Sequence, residues 1–265
     1  MTIKTIHKIY ESNNSTVYIG NHGDFGNDVI IKSMNTEYPT EEQIIRFANE
    51  YEFTKTGIPG VRKALKKTRE NGKLVLILEY FDGQTLNEFI EENNLSVPEL
   101  IPVGVGIAQA LGNIHQQKII HKDINSNNIL INRKNEIIVI DFGLATKYTL
   151  KTQSLANPDH LEGTLAYLSP EQTGRMNRSV DYRTDLYSLG VVLYQIFTKK
   201  LPFDDHDKME LIHSHIAKMP VRPTEINSSI PESLSDIILK LLSKNAEDRY
   251  RSAFGFYYKY SERSG

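Results

Sequence analysis

The chain has 265 residues, 39% hydrophobic and 24% charged, which suits one large domain or two small lobes with a sizeable core. A formal net charge of -2 gives no global pull toward nucleic acid or membrane, so any basic site must be local, and the absence of cysteine excludes disulfides, thiolate zinc sites and cysteine nucleophiles. The longest clean apolar runs, LVLIL at 74–78 and IIVI at 137–140, are far shorter than the ~20 residues of a spanning helix, and residues 1–14 lack the apolar stretch of a secretory signal; a cytoplasmic location is expected.

In chain order, STVYIG (15–20) and DVIIKSM (28–34) are β-branched runs joined by NHGDFGN, whose Gly and Asn residues supply a turn, so a hairpin is expected. TEEQIIRFANEYEFTKTG (40–57) then carries Thr40 and Gln43 at capping-box spacing. Its apolar residues repeat at Ile44, Phe47, Ala48 and Tyr51, and it stops at Gly57, which predicts a helix. KLVLILEYF (73–81) reads as a buried strand, and DGQTL after it as a turn into a short helix. Ser96 and Glu99 form a second capping-box pattern ahead of LIPVGVGIAQALGNIHQQ, a predicted helix in spite of three internal glycines that each cost about 1 kcal/mol relative to Ala.

The stretch IIHKDINSNNIL (119–130) follows. Two short strands, NILIN and EIIVID, flank the turn RKNE, and the second delivers Asp141 at its end. From 144 to 168 the chain is polar and weakly periodic, as a functional loop is. Helices are predicted again at DLYSLGVVLYQIFTKK, KMELIHSHIAK and SLSDIILKLLSK, and no internal repeats are visible. Asp123, Asn128 and Asp141 thus fall on short loops beside buried strands, where such side chains are poorly tolerated unless they bind something.

His121, Lys122, Asp123, Ile124 and Asn128 match the pattern H-R-D-L-x-x-x-N, and Asp141, Phe142 and Gly143 match D-F-G. Ser169–Glu171 stands where A-P-E is found, and VIIK, ending at Lys32, corresponds to V-A-I-K. On these ordered motifs the chain resembles a eukaryotic-type serine/threonine protein kinase domain over nearly its full length. The resemblance implies an α+β, bilobal fold. A small β-rich N-lobe with one main helix would span about 1–80, a hinge about 79–83 and a larger, mainly helical C-lobe about 84–265.

The resemblance also implies ATP and magnesium as cofactors and a protein Ser or Thr hydroxyl as acceptor. Asp141 would hold magnesium on the nucleotide phosphates, Asn128 would ligate a second magnesium through its amide oxygen, and Asp123 would orient the acceptor hydroxyl and take its proton. Lys32 would contact the α and β phosphates. Glu50 is its expected ion-pair partner, preferred over Glu52 because it shares a helix face with Phe47 and Thr54. By the same resemblance Leu78 would guard the back of the adenine pocket, Glu79 to Phe81 would form the hinge, and Val17, Ile30 and Leu130 would complete the nucleotide set. His121 is expected to pack and hydrogen-bond rather than to catalyse.

Departures from the family pattern lie in two loops. If Val17 matches the valine of G-x-G-x-x-G-x-V, Tyr10, Ser12 and Ser15 occupy the glycine positions, which predicts a stiffer phosphate-covering loop in which Ser and Thr hydroxyls can bond phosphate. Asn125 stands where most protein kinases have Lys, removing a positive charge near the transferred phosphate. Lys122 replaces Arg and cannot make a bidentate fork to a phosphorylated loop.

HKDIN with GTLAYLSPEQTGRMNRSVDYRTDLYSLG resembles the kinase module of bacterial hybrid proteins that continue into ATPase, sensor and histidine kinase modules, so additional modules of a longer chain are expected; a stand-alone protein is the alternative. Thr164 favours Ser/Thr over Tyr substrates, and Thr146, Thr149, Thr152 and Ser154 are candidate autophosphorylation sites. Glu171 and Arg249 are expected to form a buried ion pair, and Asp185 to hold the catalytic-loop backbone. Arg175, Arg178 and Arg183 read as solvated charges before a docking surface. Two other functions stand beside a signalling kinase: a pseudokinase serving as nucleotide-binding scaffold, and a small-molecule kinase, which the GTLAYLSPE segment disfavours. Neither nucleic acid nor membrane is an expected partner.

Overall fold

Antiparallel pairing of β-branched segments organises the first third of the chain. The computed structural model describes residues 4–148, 163–175 and 179–261. These divide into two units: residues 1–82 with Asp141–Gly143, and residues 83–140 with 144–265. Residues 141–143, which the sequence order alone places with the larger lobe, belong by contacts to the first unit.

The first unit contains β1 (Lys4–Glu11), β2 (Ser15–His22), β3 (Gly26–Met34), α1 (Glu41–Thr54), β4 (Ala64–Glu70) and β5 (Lys73–Glu79). Its five strands form one sheet in the order β1-β2-β3-β5-β4, antiparallel throughout, with Val17 opposite Lys32 and Lys32 opposite Leu76. Successive strand residues point to opposite faces. Ile30 and Met34 therefore join Leu76, Leu78 and Ala64 on the face that packs against Phe47 of α1, while Val29, Ile31, Val75 and Ile77 cluster on the other. Lys32, between Ile30 and Met34, shares the α1 face by the same period.

Thr40 caps α1 as expected: its hydroxyl accepts from Gln43 N–H while the Gln43 side chain accepts from Thr40 N–H. The buried positions of this helix are Phe47, Glu50 and Thr54. Ile44, expected on the apolar face, is exposed, because the contact stripe runs one turn later. β1 and β4 were not distinguished in the sequence. β4, ALKKTRE, is an edge strand whose charged residues hide its alternation and suit an edge.

The second unit contains β6 (Gln84–Thr85), α2 (Leu86–Glu92), α3 (Val97–Gln116), β7 (Ile119–Ile120), β8 (Ile129–Ile131), β9 (Ile137–Val139), β10 (Thr146–Lys147), α4 (Arg183–Thr198), α5 (Lys208–Ala217), α6 (Pro223–Ile226), α7 (Glu232–Leu241) and α8 (Phe254–Ser261). Short strands pair as β6-β8-β9 and β10-β7. α3 is long and apolar enough, by length and composition, to cross a membrane, although no single apolar run in the sequence is. Its apolar character is used within the unit, where Val103, Ile107, Leu111 and Ile114 are fully buried. Glycines that looked costly there admit neighbours: a Cβ at Gly112 would lie 2.6 Å from the Phe254 ring of α8, and one at Gly104 3.0 Å from Leu193 of α4. α6 and α8, one very short and the other built around a compact aromatic segment, went unpredicted. Thr149, Thr152, Ser154 and Arg178 lie outside the described residues.

Candidate active site

Strand period and helix face together bring three charges to one point in the first unit. Lys32 Nζ lies 2.5 Å from Glu50 Oε2 and 3.6 Å from Asp141 Oδ2. Burial alone would push the Lys32 ammonium down, but Glu50 and Asp141 outweigh it and hold it above the ordinary lysine range. The Glu50 carboxyl is pushed up by burial, with Lys32 opposing. Glu52, the rival partner, is exposed and pairs with Lys55 instead. Arg62, which the sequence did not single out, is half-buried near Glu50 and Glu79. Burial pushes its guanidinium down to about 10, partly offset by those two carboxylates.

Asp141 adopts φ +63°, a left-handed conformation uncommon for a non-glycine residue. Its Oδ1 accepts from Gly143 N–H at 3.2 Å, and Gly143 carbonyl accepts from the Asn49 amide of α1. Phe142 is fully buried. The Asp141 side chain stays 47% exposed, which leaves a carboxylate that a hard cation can reach.

Ser12 and Ser15 close a hydrogen-bonded turn between β1 and β2. Ser12 Oγ accepts from the N–H groups of Asn14 and Ser15, and Ser12 N–H donates to Ser15 carbonyl. Tyr10, at the first glycine position, lies in β1 opposite Val17 and is exposed. Ile30 and Leu78 are buried with Val17 packed against them. Glu79 N–H donates to Lys63 carbonyl, and Phe81 is half-buried.

In the second unit, Asp123 is held by several donors. Its Oδ1 accepts from Thr164 N–H and Thr164 Oγ1, both at 2.9 Å, and from Asn125 Nδ2 at 3.1 Å; its Oδ2 accepts from Asn128 Nδ2 at 2.9 Å. Oδ2, with fewer donors, is the oxygen better placed to accept a further proton. Asn128 spends its amide nitrogen on Asp123, which leaves its amide oxygen as the end that can ligate a metal.

The loop is anchored from beneath by Asp185, fully buried at the start of α4, whose carboxylate accepts from His121 N–H at 2.9 Å and Lys122 N–H at 2.8 Å. His115 Nε2 lies 2.9 Å from the same carboxylate. Lys122 takes φ +67° at this anchor. His121 is buried against Ile140 carbonyl and Asp123 N–H, a structural placement. Leu130 is buried in β8. Glu171 and Arg249 form a buried bidentate pair at 2.6 and 2.8 Å, and Arg183 is paired with Asp181.

The protein kinase domain profile matches residues 3–255. The chain belongs to the protein kinase domain family. It is 33% identical to a probable serine/threonine-protein kinase of Clostridium perfringens over 228 residues, covering 85% of this chain and 33% of that protein. It is 36% identical to the serine/threonine-protein kinase PknB of Mycolicibacterium smegmatis over 185 residues (69% and 29%), and 30% identical to PrkC of Bacillus subtilis over 242 residues (90% and 37%). The aligned part is about a third of the length of these curated relatives.

Within this kinase domain, the sequence left one organising residue unassigned. By the family pattern Asn125 is only a missing lysine, yet its Nδ2 bonds Asp123 and Thr164 while its Oδ1 accepts from Asn127 and Asn128 N–H. The signal available was its side chain, which suits turns that bond their own backbone two or three residues on.

Proposed function

We propose that this domain is an ATP-dependent serine/threonine protein kinase that transfers the γ-phosphoryl group to a protein hydroxyl in signalling. The observation that carries the proposal is Lys32 held by Glu50 and Asp141 in the first unit. It supplies a positive group, kept charged, where phosphate oxygens need neutralisation. Asp123 in the second unit is the group for the acceptor hydroxyl: its Oδ2 takes the proton as the oxygen–phosphorus bond forms and the bond to ADP breaks. Its contact with Thr164 supports serine and threonine as acceptors. Bound with ATP, magnesium neutralises charge on the phosphates, and the Asp141 carboxylate and Asn128 amide oxygen are the hard donors that fit it. Val17, Ile30, Leu78, Leu130 and the backbone at Glu79 and Phe81 are the adenine contacts in this reading. Further modules in a longer chain and a cytoplasmic location belong to the same proposal, on the hybrid-kinase resemblance and the cysteine-free sequence.

A second reading, a pseudokinase scaffold, is favoured by one observation: the turn at 12–15 has no glycine and uses the N–H groups of Ser12, Asn14 and Ser15 internally. Incubation with radiolabelled magnesium ATP and a generic protein substrate separates the two. Label on Ser or Thr is expected with the parent and none with Asp141→Ala. Nucleotide binding with no transfer selects the scaffold, and equal label in both proteins removes the role given to Asp141.

A further inference from the structure

The turn at 12–15 is held from outside by two amides. Asn35, the residue after β3, makes two bonds to it and one beside it: its N–H donates to Asn14 carbonyl at 3.0 Å and its Nδ2 to Ser12 carbonyl at 2.7 Å, and its Oδ1 accepts from Oγ1 of the adjoining Thr16 at 2.7 Å. Gln43 adds a third bond to the turn, Nε2 to Asn14 Oδ1 at 2.9 Å. The other end of the same Gln43 amide accepts from Thr40 N–H in the cap of α1. One side chain thus ties the turn to the helix that carries Glu50. The turn, Lys32, Gln43, Glu50 and Asp141 line a single cleft of the first unit.

A glycine-rich loop reaches phosphate through backbone freedom. This turn lacks that freedom, and its shape is set by side-chain bonds to α1 and the end of β3. We propose that Asn35 and Gln43 are positioning residues. Gln43 fixes the phosphate-covering turn to α1 and Asn35 fixes it to the end of β3, so that the turn and the Lys32–Glu50 pair present one preformed surface to the triphosphate. Its functional half rests on the kinase reading, while the tether itself stands on the hydrogen bonds alone.

Gln43→Glu tests the tether without removing the cap, because a glutamate keeps the acceptor for Thr40 N–H and loses the donor to Asn14. Asn14→Ala removes the opposite end, and Asn35→Ala the support beneath. Hydrogen exchange of residues 12–16 reads the tether independently of activity, and should accelerate at least fivefold in Gln43→Glu and more in Asn35→Ala, with the unfolding temperature within a few degrees of the parent. In the enzyme, the KM for ATP should rise about fivefold while kcat and the KM for protein substrate stay within about twofold, the scale set by losing one side-chain hydrogen bond. Gln43→Glu and Asn14→Ala should be non-additive in combination. Unchanged exchange at 12–16, additive effects of the pair, or faster exchange with unaltered ATP affinity each overturn the proposal. If no variant and no parent transfers phosphate, the kinase reading has failed; the exchange data and the affinity for magnesium ATP still decide the tether.

Discussion

Lys32 shows how a single residue's place can be argued from period alone. It alternates with Ile30 and Met34 on the strand, and Glu50 falls on the helix face of Phe47 and Thr54, so the two meet while Glu52 turns to solvent. Replacing Lys32 by Met removes the charge and keeps the stem; kcat should fall on the order of 10²-fold or more, measured in the radiolabel assay with ATP saturating. Thr164→Val should cost about tenfold in kcat/KM for protein substrate, since a hydroxyl bond to a charged carboxylate is lost, whereas Thr164→Ser should recover most of it. Asn125 was not legible in this way. A polar side chain that bonds its own loop leaves no periodic trace, and only the folded loop brings Thr164 beside it.

A second residue-scale effect concerns pH. Burial, followed by the nearby Lys244 ammonium, pushes the His215 imidazole from 6.5 down to about 4, while Asp205 opposes; Tyr187 hydroxyl lies 3.0 Å from its Nδ1. The unfolded chain binds the proton more readily. Stability is therefore complete above pH 6.5 and is lost as pH falls toward 4, by about 3 kcal/mol from this group. Denaturant midpoints at pH 7 and 4.5 should differ less in His215→Gln than in the parent; an equal difference would remove His215 as the source.

Among elements, helix packing through small residues is the feature that sequence patterns conceal. Gly190 lies in α4 where a Cβ would come within 2.8 Å of Leu241 Cβ on α7, and neither backbone can yield cheaply. Gly190→Ala, favourable by helix propensity, should instead lower stability by about 1–3 kcal/mol, seen as a lower urea midpoint with unchanged slope. The buried Glu171–Arg249 pair behaves differently. Arg249→Met alone should cost about 3–5 kcal/mol by stranding a buried carboxylate, and a second change of Glu171 to Met should restore much of that loss.

At the scale of the whole molecule, the family's ordered motifs covered most of the chain, which is why fold class was readable before any geometry. The bounds of the units were readable less well. Asp141–Gly143 follow β9 in the chain and belong by contacts to the first unit, because Asn49 and Arg46 of α1 receive them. A ligand that binds only the folded protein raises its stability, by about 2.7 kcal/mol at 100 times its dissociation constant. Magnesium ATP at that excess should raise the unfolding temperature by several degrees; chelation with EDTA and Asp141→Ala should each reduce the rise, as differential scanning fluorimetry can check.

The pairing of β-branched runs, the capped helices, and the spacing of Lys32, Asp123, Asn128 and Asp141 are all legible before folding, because each is written in local period or in ordered motifs. Which glycines seat neighbouring side chains, the link that Asn125 makes between Asp123 and Thr164, and the bonds of Asn35 and Gln43 to the glycine-free turn emerge on folding alone. Those outcomes depend on contacts between residues far apart in the chain, and a contact of that kind leaves no mark until the backbone has brought its partners within hydrogen-bonding distance.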